Sequence, residues 1–124
     1  MEETLYAQVG GQPFFERLVE GFYAVVADDE LLRPMYPEDL SESQRTLALF
    51  LCQYWGGPPT YMEERGHPRL RMRHAPFRIT KKARDAWMVA MTSALESVRS
   101  ELTQEQFDEM AAYFDMAAHQ MRNV

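Results

Sequence analysis

The sequence predicts an all-α domain, and three observations carry that prediction. Strand formers are scarce: isoleucine occurs once, at Ile79, and valine seven times in 124 residues, so little of the chain suits a pleated surface. The apolar residues recur at helical spacing along the whole chain. Two Ser/Thr-x-x-Gln patterns, Ser41–Gln44 and Thr103–Gln106, stand just ahead of apolar stripes, as capping boxes do. The length fits one domain over residues 1–124, large enough to bury roughly two-thirds of its unfolded surface.

The elements follow in order. After the breakers Gly10-Gly11, Pro13 opens a helix whose stripe is Phe15, Leu18, Val19, Phe22 and Val26, widened by Phe14, Tyr23 and Val25. Proline suits the first turn of a helix, where its missing N–H costs nothing. Asp28-Asp29 ends this helix. A short turn then leads to Pro34-Met35-Tyr36-Pro37, where the prolines hold Tyr36 in an extended or turn conformation. The Ser41–Gln44 box opens a second helix with the stripe Leu47, Phe50, Leu51 and Tyr54, stopped by Gly56-Gly57-Pro58-Pro59. Residues 58–79 read as irregular, with at most a short helix around Glu63–Arg65 and a turn at Arg69–His74. A stretch of that length without regular structure is unusual in a small domain and points to function. Thr80 caps a third helix over about 81–99 with Ala83, Trp87, Ala90, Met91, Ala94, Leu95 and Val98 inward. Thr103–Gln106 opens a fourth, lined by Phe107, Met110, Ala111, Phe114, Ala118 and Met121.

Composition narrows the function classes. Hydrophobic residues make up 46% and charged residues 26%, values ordinary for a soluble protein. The N-terminus has neither a basic region nor an apolar run, so no signal peptide is expected. No stretch reaches the ~20 apolar residues of a membrane span. The expected location is the cytoplasm. The single cysteine, Cys52, excludes an internal disulfide and a multi-thiolate metal site, and its apolar surroundings mark it as a core residue. The net charge of −6 argues against binding nucleic acid or a membrane surface. The charge is uneven, however. Residues 65–84 hold eight of the thirteen Lys and Arg and no acid, leaving five cations against nineteen acids elsewhere, a net −14. A local basic stretch on an acidic protein suits a small anion better than a polyphosphate chain.

That stretch contains His74, in Gly66-His67-Pro68-Arg69-Leu70-Arg71-Met72-Arg73-His74-Ala75-Pro76-Phe77-Arg78-Ile79. Pro68 and Pro76 stiffen the chain on either side of it. Leu70, Met72 and Phe77 supply apolar surface beside its ring. A neutral imidazole is a standard axial ligand of haem iron, and three histidines without a cysteine cluster support zinc poorly. A lone histidine is more often a packing residue, so the pattern alone leaves both readings open. His67 is assigned to loop packing, and His119, off the apolar stripe, to solvent. Arg73, adjacent to His74, is the best candidate to pair with a haem propionate, beside the plainer reading of a solvated arginine-rich loop. Tyr23, Tyr36 and the Trp87 indole are three hydrogen-bond donors that, facing one cavity, would stabilise the partial negative charge of bound O₂; they also read as ordinary core aromatics.

Three segments together resemble a known family. Tyr54-Trp55-Gly56-Gly57-Pro58, Thr60-Tyr61 and Arg65–His74 look like the group II (O-type) truncated haemoglobins. The resemblance extends along the chain through Val9-Gly10-Gly11, Phe22-Tyr23, Met35-Tyr36-Pro37-Glu38, Arg84-Asp85-Ala86-Trp87 and Met116-Ala117-Ala118-His119. It implies a truncated globin fold, a 2-on-2 helical sandwich whose irregular loop carries the proximal histidine, holding haem b. It implies His74 as the proximal iron ligand, Tyr23, Tyr36 and Trp87 as distal residues, and Phe22, Leu47 and Phe50 as walls of the haem pocket. There are departures. The stretch after Tyr36 is one residue shorter than in relatives. Thr46 stands where relatives often carry a basic residue reaching a propionate, and Arg45 lies about 100° around the helix. Arg73, Tyr61 and Arg69 are the remaining propionate candidates, with Met72 and Phe77 as further pocket residues. Ser43 occupies the distal gate, where its small size opens ligand access and its hydroxyl adds a donor.

The function implied is binding of O₂, and of other diatomics such as NO, at a His-ligated haem iron. The alternative is an NO dioxygenase or a peroxidase-like redox enzyme using the same site. Either enzyme would draw on a separate electron donor, since the chain carries no flavin or NAD motif. The sequence leaves the physiological ligand and assembly into a homo-oligomer open.

Overall fold

The structure is a computed structural model and describes residues 3–124. Among the described residues seven α-helices run in order: α1 Leu5–Gln8, α2 Gln12–Asp28, α3 Ser41–Tyr54, α4 Thr60–Arg65, α5 Leu70–His74, α6 Lys81–Ser97 and α7 Gln104–Met121. Two 3₁₀ turns, Arg33–Met35 and Arg99–Glu101, join α2 to α3 and α6 to α7. No strand occurs among the described residues.

The four long helices sort into two layers. α2 packs on α3 and on α6, and α6 packs on α7, so the α2–α3 pair lies over the α6–α7 pair as a two-on-two sandwich. The inward stripe of α2 is sealed: Phe14, Phe15, Leu18, Val19, Phe22 and Val26 have no exposed surface. They meet Leu51 of α3, Met91 and Leu95 of α6, and Met110 and Phe114 of α7 in one core. Cys52 is buried there too, and burial pushes its thiol up to about 11.

Local chemistry sets the helix ends. The Thr80 hydroxyl accepts the Ala83 N–H at 3.2 Å to start α6. Thr103 and Gln106 form a full capping box on α7. The expected box at the start of α3 does not form. Leu40 is the N-cap residue and no side chain caps it; Asp39 instead accepts the Ser41 N–H at 2.9 Å. An aspartate two residues upstream can fold back onto the chain as an Asx turn, and it takes the role assigned to Ser41.

α1 was not anticipated. Thr4 caps it at Ala7, Leu5 is buried, and the Tyr6 N–H donates to the Trp55 carbonyl at 3.0 Å. This clasp explains Gly56-Gly57 beyond their role as helix breakers. A Cβ on Gly57 would stand 2.6 Å from the Tyr6 ring and 2.8 Å from the Cys52 carbonyl oxygen. The segment after it is also more regular than expected, since α4 and α5 occupy much of residues 60–74.

Candidate functional site

A cavity of about 410 Å³ opens between α2, α3, α5, α6, α7 and the turn before α3, within the usual size range for cofactor sites. Adjacent residues of α2, Phe22 and Tyr23, both face inward and are buried. Tyr36 reaches the cavity from the turn. That turn is held by Asp29, whose Oδ1 accepts the N–H groups of Leu31 and Leu32 at 2.9 Å each. It is also held by Arg33, whose guanidinium donates to the carbonyls of Pro37 at 2.8 Å and Glu38 at 2.6 Å. Trp87 enters from α6, with its ring 5.3 Å from Phe22 and 5.9 Å from Phe114. The Tyr23 and Tyr36 rings meet edge to face at 5.5 Å.

The polar ends of these rings are the informative feature. Neither tyrosine hydroxyl bonds to another described residue, apart from the approach of the Trp87 indole N–H to Tyr36, and neither is sealed from the cavity. Burial holds the Tyr23 hydroxyl far above the usual phenol range. Burial pushes Tyr36 up to about 12, with the Trp87 N–H working the other way. Both therefore remain protonated near neutral pH, with a hydrogen to give. A partly buried hydroxyl without a partner is costly unless something enters to accept from it.

The histidine is placed differently. His74 ends α5 and lines the cavity. Its Nδ1 lies 2.6 Å from the Leu70 carbonyl oxygen. A carbonyl only accepts, so Nδ1 carries the proton and Nε2 keeps its lone pair, the arrangement that suits a metal ligand. The surrounding loop is bonded to itself. Arg73 donates to the carbonyls of Pro68, Arg65 and His67 at 2.6, 2.8 and 3.2 Å. Arg69 sits in the left-handed region with φ +41°, and its N–H donates to His67 Nδ1 at 3.1 Å. Asn123, beyond α7, accepts the Ile79 N–H at 2.9 Å and donates from Nδ2 to the Phe77 carbonyl at 2.9 Å and to that of His74 at 3.5 Å.

Of the residues expected in the pocket, His74, Tyr23, Tyr36, Trp87, Phe22, Ser43, Leu47, Phe50 and Phe77 line the cavity together. Tyr61, Arg69, Met72 and Arg73 do not line it. Tyr61 is buried behind Phe50, with rings 5.5 Å apart. Met72 is 59% exposed and faces an outer groove. Arg73 turns back onto backbone carbonyls, and Arg69 serves as the N-cap residue of α5. Arg45 is no substitute for the residue missing at Thr46, because Glu64 holds it in a two-point pair at 2.8 and 2.7 Å. The cations that do line the cavity are Arg65 and Arg84. The Arg84 terminal nitrogens pair with Asp85 at 3.1 Å and Asp115 at 2.9 Å, while its buried Nε has no partner. Its spacing from Trp87, one turn earlier on α6, carried that signal. Arg65 and Asn123 had none, since their placement depends on the fold of the loop.

Comparison with known proteins shows the family. The bacterial-like globin family matches residues 4–123. The chain belongs to that family. The group 2 truncated haemoglobin of Bacillus subtilis is 49% identical over 88 residues, covering 71% of this chain and 67% of that protein. The haemoglobin of the actinobacterium Thermobifida fusca superposes with a TM-score of 0.95 at 48% identity, over 98% of each chain. The group II truncated haemoglobin of Bacillus anthracis does so at 0.94 and 36% identity, over 100% of this chain and 94% of that one. This truncated globin is thus a protein of haem-based O₂ binding, a function the family implies. The residues present fit a haem. His74, with Nδ1 committed to Leu70, leaves Nε2 as a single donor at the cavity, which fits a metal whose other ligands a porphyrin would bring. The walls are mostly aromatic and aliphatic, as a flat apolar ligand requires. Among the described residues no helix is long and apolar enough to cross a membrane.

Proposed function

We propose that this truncated globin holds haem b with His74 as its single protein ligand to the iron and binds O₂, or another polar diatomic such as NO, under hydrogen bonds from Tyr23, Tyr36 and Trp87. When bound, the haem supplies an iron coordination position at which a diatomic ligand takes on partial negative charge. The chain supplies the rest. Nε2 of His74 is left basic because Leu70 fixes the proton on Nδ1. Phe22, Leu47 and Phe50 give the cavity apolar faces, and a drier site strengthens each hydrogen bond made within it. Arg65 is the propionate partner in this reading, because it lines the cavity and makes no ion pair among the described residues, whereas Arg84 is already held by two carboxylates.

The observation carrying the proposal is the pair of uncommitted tyrosine hydroxyls in one cavity with a histidine whose Nε2 is free. Two donors that the protein leaves without acceptors call for an acceptor from outside. The test is spectroscopic. Protein reconstituted with haem b is expected to show an intense Soret band, a ferrous state ligated by one histidine, and a stable complex with O₂. Absence of a stoichiometric Soret band after reconstitution would overturn the reading.

A further inference from the structure

The outer surface behind His74 carries a groove that the gas-binding reading does not use. It is lined by Arg71, Met72, Pro76, Phe77, Arg78, Met121 and neighbouring residues. Its lining falls within residues 71–78 and 120–124, which lie inside two longer segments, 65–84 and 116–124. Neither segment contains an acid, and together they hold nine of the thirteen Lys and Arg. The remainder of the chain has four cations against nineteen acids. Among the described residues the side chains of Arg71 and Arg78 make no ion pair, unlike Arg17, Arg45, Lys81, Arg84 and Arg99. Between them Met72 and Phe77 are 59% and 44% exposed. Exposed apolar side chains rimmed by unpaired arginines have the composition of a protein-binding patch, and the charge asymmetry selects an acidic partner.

The groove's position says what kind of partner. Phe77 and Met121 line both this groove and the internal cavity, so one layer of side chains separates them. From this placement we propose that the groove is the docking face for an acidic electron-carrier protein that reduces the haem; the inference rests on the haem reading above. O₂ binds reduced haem iron, so any molecule that oxidises needs one electron from outside. In the step proposed, the carrier loses one electron and ferric iron becomes ferrous, with no covalent bond made or broken. The net charge of −6 disfavours a nucleic acid as the occupant. A second copy, presenting its own acidic remainder, is the other occupant that the test must separate.

The experiment uses the reconstituted haem protein and a plant-type [2Fe–2S] ferredoxin of net negative charge as the probe. NMR titration with the oxidised probe is expected to shift resonances of residues 70–79 and 119–124. Raising the salt from about 20 to 300 mM is expected to weaken binding by about tenfold or more. The Arg71→Glu/Arg78→Glu variant is expected to lose binding and to slow reduction of the ferric haem by the reduced ferredoxin at least about tenfold. Its reduction by dithionite and its Soret band stay as in the parent. Four results would overturn the proposal: binding unaffected by the double reversal, equal binding of a basic cytochrome c, shifts outside the groove, or concentration-dependent self-association through this face in sedimentation. Loss of the Soret band or of dithionite reduction in the parent protein would instead overturn the haem reading itself.

Discussion

The two groups of polar side chains around the cavity are bonded to different things. On α2, the turn at Tyr36 and α6, the aromatic donors facing the cavity, unlike Arg84, are uncommitted: Tyr23 and Tyr36 keep their hydroxyl hydrogens, and Trp87 does no more than approach Tyr36. On α5 and the loop after it, Arg71 and Arg78 apart, the polar side chains are bonded within the protein. His74 is tied to Leu70, Arg73 to three carbonyls, and Asn123 to Ile79, Phe77 and His74. In the function proposed above, the first wall would receive a ligand that comes and goes, and the second would hold one group still. Substitutions in the first should therefore change ligand kinetics with little effect on the fold. Those in the second should change cofactor retention and loop stability.

The largest effect is expected at His74, whose Nδ1 is tied to Leu70 and whose Nε2 has no hydrogen-bond partner among the described residues. His74→Ala removes the only histidine among the described residues that lines the cavity. Loss of an indirect metal partner typically costs about 10–100-fold in affinity, and loss of the ligand itself should exceed that. Haem transfer to an apo-globin acceptor measures it. Retention equal to that of the parent protein would show that the iron is held elsewhere. Next in size are Tyr23→Phe and Trp87→Phe. Each removes a donor whose contribution of about 1–3 kcal/mol to a partly charged acceptor corresponds to roughly a 5- to 150-fold faster O₂ release. Because the Tyr23 hydroxyl has no protein partner, Tyr23→Phe should leave the unfolding free energy within about 0.5 kcal/mol. A large loss of stability with unchanged release would reverse the assignment of the two walls.

A smaller effect, of the opposite kind, is expected from Asn123→Ala. Its side chain holds the loop from His74 to Ile79 in three hydrogen bonds, but it is exposed. The expected cost is about 1–2 kcal/mol, seen as faster amide exchange at Ile79 and quicker haem loss, with O₂ release close to that of the parent. Unchanged exchange at Ile79 would remove Asn123 from the wall.

The contrast between the walls also marks what the sequence made legible. The stripes of α2, α6 and α7 were readable because apolar burial follows helical period, and the caps at Thr80 and Thr103 because their partners lie three residues away. The receiving wall was likewise within reach, since Tyr23 and Trp87 sit on those stripes. The holding wall was not. Whether Arg73 points into the cavity or back onto Pro68 depends on how the loop closes. Arg69 and Met72 were misplaced for the same reason. Asn123 acts on residues more than forty positions away, which no local pattern encodes. α1 escaped because four residues give too little period to read, and its stability comes from contact with Trp55.

The smallest expected effect is a change of stability with pH, and it separates the walls by chemistry. An unfolded tyrosine loses its proton near pH 10, whereas burial raises Tyr36 and Tyr113 to about 12 in the folded protein and Tyr23 higher still. Between about pH 10 and 12 the unfolded chain binds fewer protons than the folded one, so stability must fall as pH rises. Below pH 10 these groups are protonated in both states and contribute no slope. Buried Cys52, raised from 9.0 to about 11, adds a decline of the same sign that begins one unit earlier. Urea midpoints measured from pH 7 to 11 should therefore drop at the alkaline end, and less steeply in Tyr36→Phe. Over the same range O₂ release should stay constant up to about pH 9, since the donors keep their hydrogens. A release rate that titrates near neutrality would mean that the controlling donor is neither tyrosine. That result would move the receiving role to a group with a lower pKa and remove the distinction between the walls.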